Sequence, residues 1–334
     1  MKGVNKVKAV GLLSGGLDSA IAAKLILDQG IEVHAVNISM PWGCGRPSRV
    51  VRLAEKLGLC LKTIPLGDDY MPLLTAPKYG FGSAHNPCID CHIYMVKKAA
   101  EYMREIGAAF VFTGEVLGQR PMSQHRKSLN CVEHDAGVTG RLVRPLSAKL
   151  MPVTIPEQEG VLDREKLLDL SGRSRSPQLK LAKEFGIEDF STPGGGCLLT
   201  EKLFGERLKD VLKGGCPDIA STAILGVGRY FRLDDSSYVI VARNNSENEK
   251  LMKYAMPADI IVRPTTFPGP VALLRSGAVT EEKIAFTAGL AQFYSKSRAQ
   301  GSMPLTCWMA GEPSKIRNVL AGVVNEADIR KMIL

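Results

Sequence analysis

Over the first 190 residues, short apolar runs alternate with segments whose apolar positions recur at helical spacing. The apolar runs are residues 7–13, 31–38, 61–64 and 110–113, and the helical segments are 20–29, 48–57 and 94–106. Strands that are apolar on both faces and separated by helices predict an α/β fold with a parallel sheet. Right-handed crossovers then carry the segments after Leu13, Ile38 and Thr113 to one carboxyl edge, where open sheets bind ligands.

Beyond the glycines at 194–196 and a helical stretch to about residue 213, the pattern changes. YFRL and YVIVA, separated by Asp234-Asp235-Ser236-Ser237, predict two short strands around a polar turn. Ser246 and Glu249 read as a capping box for a helix through Tyr254. Strand-like runs follow at 260–262 and 271–274, and a final helix at 281–294. The expected division is therefore 1–213 as an α/β domain and 214–334 as a smaller C-terminal α+β domain.

The loop between the first strand and first helix reads SGGLDS, from Ser14 to Ser19. Gly15 and Gly16 allow backbone N–H groups to approach an anion, and a helix opening at Ser19 turns its positive end toward the same point. Ser14 and Ser19 add hydroxyl donors. Asp18 is out of keeping with a simple phosphate cradle. A carboxylate there is repelled by phosphate unless it holds magnesium or a bridging donor, so a catalytic role is its simplest account. Neither GxxxxGK[ST] nor GxGxxG follows the first strand.

A second chemistry-bearing set is made of thiols. Cys88 and Cys91 form NPCIDC at the head of a helix, and Cys197 follows a proline and three glycines in TPGGGCLLT. Three thiolates leave one coordination position open, which suits a 4Fe-4S cluster. Zinc with His85 or His92 as fourth ligand and a metal-free persulfide pair are the competing readings. Cys44, in PWGCGRP, is a weaker fourth candidate. Cys60, Cys131, Cys216 and Cys307 have no partner spacing and read as buried or surface thiols.

SGGLDS resembles the signature of the PP-loop ATP pyrophosphatases, which split ATP between its α and β phosphates and adenylate an acceptor. The resemblance implies a Rossmann-like fold of the adenine nucleotide alpha hydrolase kind, with Leu12, Leu13, Ser14, Gly15, Gly16, Asp18 and Ser19 at the nucleotide. TGEVLGQRPMSQ, from Thr113, resembles the ThiI family. It implies that Gly114 and Gln119 lie near nucleotide or acceptor and that Gln124 matches a second family glutamine, one residue out of register. NPCIDC and the position of Cys197 resemble the MnmA 2-thiouridylases. Cys88 departs from the two-cysteine form toward the iron-sulfur-dependent thiolation enzymes, which puts a simple persulfide relay in doubt. GRYFRLDD, ARNNSENEKL and FPGPVALLRSG resemble the RNA-binding domain of the NFACT proteins, over most of residues 226–294.

Together these resemblances imply an ATP-dependent tRNA sulfurtransferase making thiouridine. ATP and magnesium would bind at the loop, with Asp18, Cys91 and Cys197 as catalytic residues and Cys88, Cys91 and Cys197 as cluster ligands. A PP-loop amidoligase, a small-molecule sulfurtransferase and a non-catalytic ATP-responsive RNA-binding protein are the alternatives. Expected partners are tRNA and a sulfur donor, either sulfide or a persulfide carrier, with a homodimer as one assembly the sequence allows. The THUMP region and rhodanese of some ThiI proteins have no counterpart, so RNA and sulfur would arrive by other means.

Composition changes this picture little. The chain has 334 residues, 45% hydrophobic and 23% charged, as in ordinary soluble domains, and a net charge of +9 that favours a polyanionic partner. Arg120, Arg126, Lys127, Arg173, Arg175, Lys180 and Lys183 are candidate phosphate contacts. Eight cysteines without an export signal point to reduced thiols. The amino-terminal apolar run is short and leads into the glycine loop, so a cytoplasmic protein with no membrane association is expected.

Overall fold

The structure, a computed structural model, describes residues 6–42, 47–190, 197–215, 218–298 and 300–334. Cys44, Cys216, Pro193 and the glycines at 194–196 lie outside the described residues. The chain forms two compact units, Met1–Cys197 and Leu198–Leu334.

The first unit contains strands β1 (Lys8–Leu12), β2 (Glu32–Ser39), β3 (Cys60–Pro65), β4 (Phe110–Phe112) and β5 (Leu142–Val143). Its helices are α1 (Leu17–Leu27), α2 (Pro47–Leu57), α3 (Met71–Thr75), α4 (Cys88–Glu105), α5 (Arg126–Asp135), α6 (Ile155–Gln158) and α7 (Ser176–Glu184). All strand pairs are parallel, in the order β3-β2-β1-β4-β5. Helices cover both faces. Leu17, Ile21 and Ile26 of α1 pack with Val50 and Leu53 of α2 and Ala182 of α7 on one side. Val96, Ala99 and Ala100 of α4 pack with Val132 of α5 on the other.

This order has its reversal between β1 and β4, because the chain runs outward from β1 to β3 and then crosses to the opposite side. Ligands of open α/β sheets bind outside the carboxyl ends of the strands at such a point. The segments that follow β1 and β4 are SGGLDS and TGEVLGQ. The four predicted strands and the parallel sheet are present, and α1 begins at Leu17, two residues earlier than the helix opening expected at Ser19. Asp18 is thus in the first helical turn.

The second unit contains α8 (Lys202–Lys213), β6 (Arg229–Asp234), β7 (Ser237–Val241), α9 (Asn245–Tyr254), β8 (Ile260–Arg263), β9 (Ala272–Ser276), α10 (Glu281–Phe293), β10 (Pro304–Met309), β11 (Arg317–Leu320) and α11 (Glu326–Met332). The strands form an antiparallel sheet in the order β11-β10-β8-β9-β7-β6, packed on α10 through Val262, Leu274, Ile284 and Leu290. The boundary falls ahead of α8, so that helix, grouped by sequence pattern with the first domain, belongs to the second unit. Two expectations are corrected. Helix 281–294 is not the final element, since β10, β11 and α11 follow it. The cap of α9 is Asn244, whose side chain accepts the Glu247 amide, rather than Ser246 with Glu249.

Candidate nucleotide and thiol site

Apolar β1 delivers the chain to the carboxyl edge, and the Leu13 amide still pairs with the Val36 carbonyl at 2.8 Å. Leu12 is half-buried and Leu13 lies in the core. Asn37 from β2 donates its amide to the Leu13 carbonyl at 2.8 Å, which fixes the exit into the loop. Gly15 then takes a φ of 73°, a left-handed conformation that side chains other than glycine strain to adopt. The loop closes through its hydroxyls. Ser19 Oγ donates to the Gly16 carbonyl at 2.9 Å, and Ser14 Oγ and Ser19 Oγ lie 3.3 Å apart. No side chain caps the start of α1, which leaves its first amides to an anion or water.

The turn after β4 meets this loop backbone to backbone. A Cβ placed on Gly114 would lie 2.5 Å from the Ser19 nitrogen and 2.6 Å from the Asp18 carbonyl carbon, so only glycine fits. Five residues on, Gln119 Nε2 donates to Asp18 Oδ2 at 2.8 Å. The same oxygen accepts a guanidinium N–H of Arg175 at 2.8 Å, and Gln178 Nε2 donates to Gln119 Oε1 at 2.9 Å. Asp18 Oδ1 is buried with no hydrogen-bond partner among the described residues. A buried carboxylate oxygen left open beside a helix start fits a magnesium ion or a ligand donor. Gln124 is buried, and its Oε1 is open in the same sense.

The thiols gather nearby. Pro87 precedes α4, which places Cys88 and Cys91 in its first turn. The amide of Asn86, itself buried, donates to Cys88 Sγ at 2.9 Å. Burial pushes the Cys88 thiol up, and that of Cys91 to about 12, so both are neutral near pH 7 in the metal-free chain. Cys197 adds to the upward push on both, which places the three sulfurs within electrostatic range of one another. Tyr70, wholly buried, has its hydroxyl beside Cys91 without reaching strict hydrogen-bond geometry, and Trp42 packs on the Tyr70 ring at 6.0 Å between centroids. Among the described residues no three His, Cys, Asp or Glu side chains converge on a single metal ion. Of the two candidate histidines, His85 Nε2 donates to the Leu74 carbonyl at 3.0 Å, and His92 pairs through Nδ1 with Glu115 at 2.7 Å, the kind of carboxylate contact that also orients a ligating imidazole.

The loop carrying Gln119 joins the two sets. Gln119 binds Asp18, and the charge of its neighbour Arg120 is felt at Cys88, where it favours the thiolate. Beneath this loop, Glu115 accepts from Arg144 Nε at 3.0 Å, from Thr113 Oγ1 at 3.0 Å and from His92. Arg144 also bonds Glu133 and the Leu129 carbonyl. Sequence reasoning missed Tyr70, Asn86, Glu115 and Gln178 as site residues, and it placed Arg175 among seven candidate phosphate contacts without linking it to Asp18. Arg120, Arg126, Lys127, Arg173, Lys180 and Lys183 are exposed as expected.

The fold and the strand-to-helix loop define the class: a parallel, Rossmann-like α/β unit with a glycine loop of the PP-loop kind, followed by an antiparallel α+β unit. Residues 4–149 match the family model described as Thiamine biosynthesis protein (ThiI), and residues 228–329 match that of the NFACT protein RNA binding domain. The first unit is thus similar to the ThiI family over residues 4–149 and the second to the NFACT RNA-binding domain, a match that runs through β10, β11 and into α11, well past residue 294.

Among relatives, the tRNA-specific 2-thiouridylase MnmA of Syntrophotalea carbinolica is 34% identical over 128 residues, covering 34% of this chain and 36% of that protein. MnmA of Dehalococcoides mccartyi is 30% identical over 115 residues, with 30% and 32% covered. A Thermococcus kodakarensis protein named "Probable tRNA sulfurtransferase" is 27% identical over 194 residues, with 55% and 42% covered. The chain thus spans between 32% and 42% of the length of these relatives. The U34-tRNA thiolase NcsA from Methanococcus maripaludis with its 4Fe-4S cluster superposes with a TM-score of 0.35 at 19% identity, over 62% of this chain and 65% of that one. That superposition is too loose to carry an argument.

Proposed function

We propose that this chain is an ATP-dependent tRNA sulfurtransferase that forms thiouridine. A uridine carbonyl oxygen attacks the α-phosphorus of ATP, the bond to the bridging oxygen breaks, and pyrophosphate leaves toward residues 14–19. A sulfur nucleophile then adds at the activated carbon, and AMP departs with the former carbonyl oxygen. Adenylation is needed because a uracil carbonyl is a poor electrophile with no leaving group.

The observation that supports this reading is the loop 113–120, which has Gln119 on Asp18 and the charge of Arg120 at Cys88. A nucleotide edge and a sulfur site sharing one short loop suit a reaction that activates and then thiolates one atom. Backbone amides at the start of α1 would bind the departing phosphates, and Asp18 Oδ1 would hold magnesium, which neutralises charge developing there. Cys88, Cys91 and Cys197 would hold a 4Fe-4S cluster, whose open iron can carry sulfide. Asn86 orients the Cys88 sulfur, and Tyr70 with Trp42 keeps bulk water from Cys91. The NFACT-type unit and the exposed arginines and lysines of the first unit would bind tRNA phosphates.

The test is anaerobic reconstitution with ATP, sulfide and tRNA, followed by mass spectrometry of nucleosides and by iron and zinc analysis. Thiouridine should form, iron should exceed zinc, and folded Asp18→Ala and Cys91→Ala variants should lose the product. Unchanged product in both variants refutes the assigned roles. Pyrophosphate release without RNA would instead indicate an amidoligase or small-molecule sulfurtransferase. RNA binding with neither product would indicate a non-catalytic RNA-binding protein.

A further inference from the structure

We propose that Arg175 is a phosphate anchor of the nucleotide site, recruited from a stretch that lies between the two family matches. Those matches cover residues 4–149 and 228–329, so neither accounts for α7 or the residue before it. The inference rests on the ATP chemistry proposed above and adds to it a residue for the pyrophosphate end of the nucleotide.

Arg175 donates to Asp18 Oδ2 across 157 residues of sequence. The pair is largely withdrawn from water, with side-chain exposures of 17% for Arg175 and 14% for Asp18. Taking two charges out of water is costly, and a pair placed at the head of α1 invites a reason beyond folding. An anion entering the loop would meet the Asp18 carboxylate at close range and be repelled. The guanidinium cancels that charge and leaves the uncapped amides of α1 and the loop to act.

Geometry extends the argument. The remaining guanidinium N–H groups of Arg175 make no hydrogen bond among the described residues, so one edge of the fork is on the carboxylate and the rest is open to a phosphate. Arginine is suited to bridging two oxyanions in this way, because its donors are fixed in a plane. Gln178, three residues along the same helix, holds Gln119, and Gln119 holds the same Oδ2. The segment therefore acts on Asp18 twice, directly and through a positioning glutamine, while Oδ1 stays open for magnesium.

The experiment measures calorimetric binding of magnesium-ATP, magnesium pyrophosphate and AMP to the full chain, without turnover. Arg175→Ala should weaken ATP and pyrophosphate by about tenfold or more, the usual cost of a charge-assisted contact, and leave AMP within about twofold. Arg175→Lys keeps the charge without the fork and should lose about three- to tenfold for ATP and pyrophosphate only. It decides the matter if the alanine variant does not fold. Retention of wild-type ATP and pyrophosphate affinity in the folded variants, or an equal loss for AMP, overturns the proposal and leaves the ATP reading intact. Failure of the wild-type chain to bind ATP overturns both.

Discussion

Glu115 shows how strongly single residues beside the site are held. Burial favours its protonated form, but the Arg144 guanidinium and His92 outweigh it and bring the carboxyl down to about 2 from an ordinary 4.5. Between those values the unfolded chain binds a proton that the folded chain does not. Stability therefore rises with pH across that window and is lost as pH falls toward 2, by roughly 3 kcal/mol in full. Urea unfolding at pH 7, 4 and 3 should show this loss, and Glu115→Gln should flatten it while lowering stability at pH 7 by about 3 kcal/mol, because Arg144 loses its buried partner. Gly114 makes a different prediction. Gly114→Ala forces backbone apart at the Asp18–Ser19 contact and should cost about 1–3 kcal/mol in thermal or urea unfolding, with ATP affinity falling alongside. At this scale the motif letters were legible and their reasons were not. Gly114 stands in TGEVLGQ by resemblance, but the backbone it abuts is 95 residues away in sequence. Arg175 carries no local sign that distinguishes it from exposed Arg173.

Elements were readable where the apolar pattern was long. β1 and β2 are buried on both faces in the sheet centre, and their apolar runs announced them. β11 has no such run, because it is an edge strand with exposed Arg317, Asn318 and Leu320. β10 carries only a faint alternation, with Leu305 and Cys307 inward. The start of α9 shows how capping can mislead. In NNSENE both Asn244 with Glu247 and Ser246 with Glu249 have the spacing of a box, and the first is formed, where Glu247 also binds Arg243 four residues back. Asn244→Ala should therefore lower thermal stability by about 1 kcal/mol, and Ser246→Ala should change it by less than about 0.5. Equal effects would mean that the cap lies elsewhere.

On the scale of the molecule, the described residues form a hydrophobic core on each face of the parallel sheet in the first unit and a third between α10 and the antiparallel sheet in the second. The residues proposed for nucleotide and sulfur chemistry lie in the first unit, and the NFACT match lies in the second. If the second unit supplies the grip on RNA, the two functions should separate. A chain ending at Cys197 should keep its affinity for magnesium-ATP, because every residue described around Asp18 precedes that point. Its affinity for tRNA should fall. Counterion release supplies the sharper measure, since each phosphate contact contributes about 0.7–0.9 to the slope of log affinity against log salt. The full chain should show a distinctly steeper slope than the shortened one. Equal slopes would place the RNA contacts on the basic residues of the first unit, Arg120, Arg126 and Lys127 among them, and leave the antiparallel unit with another task.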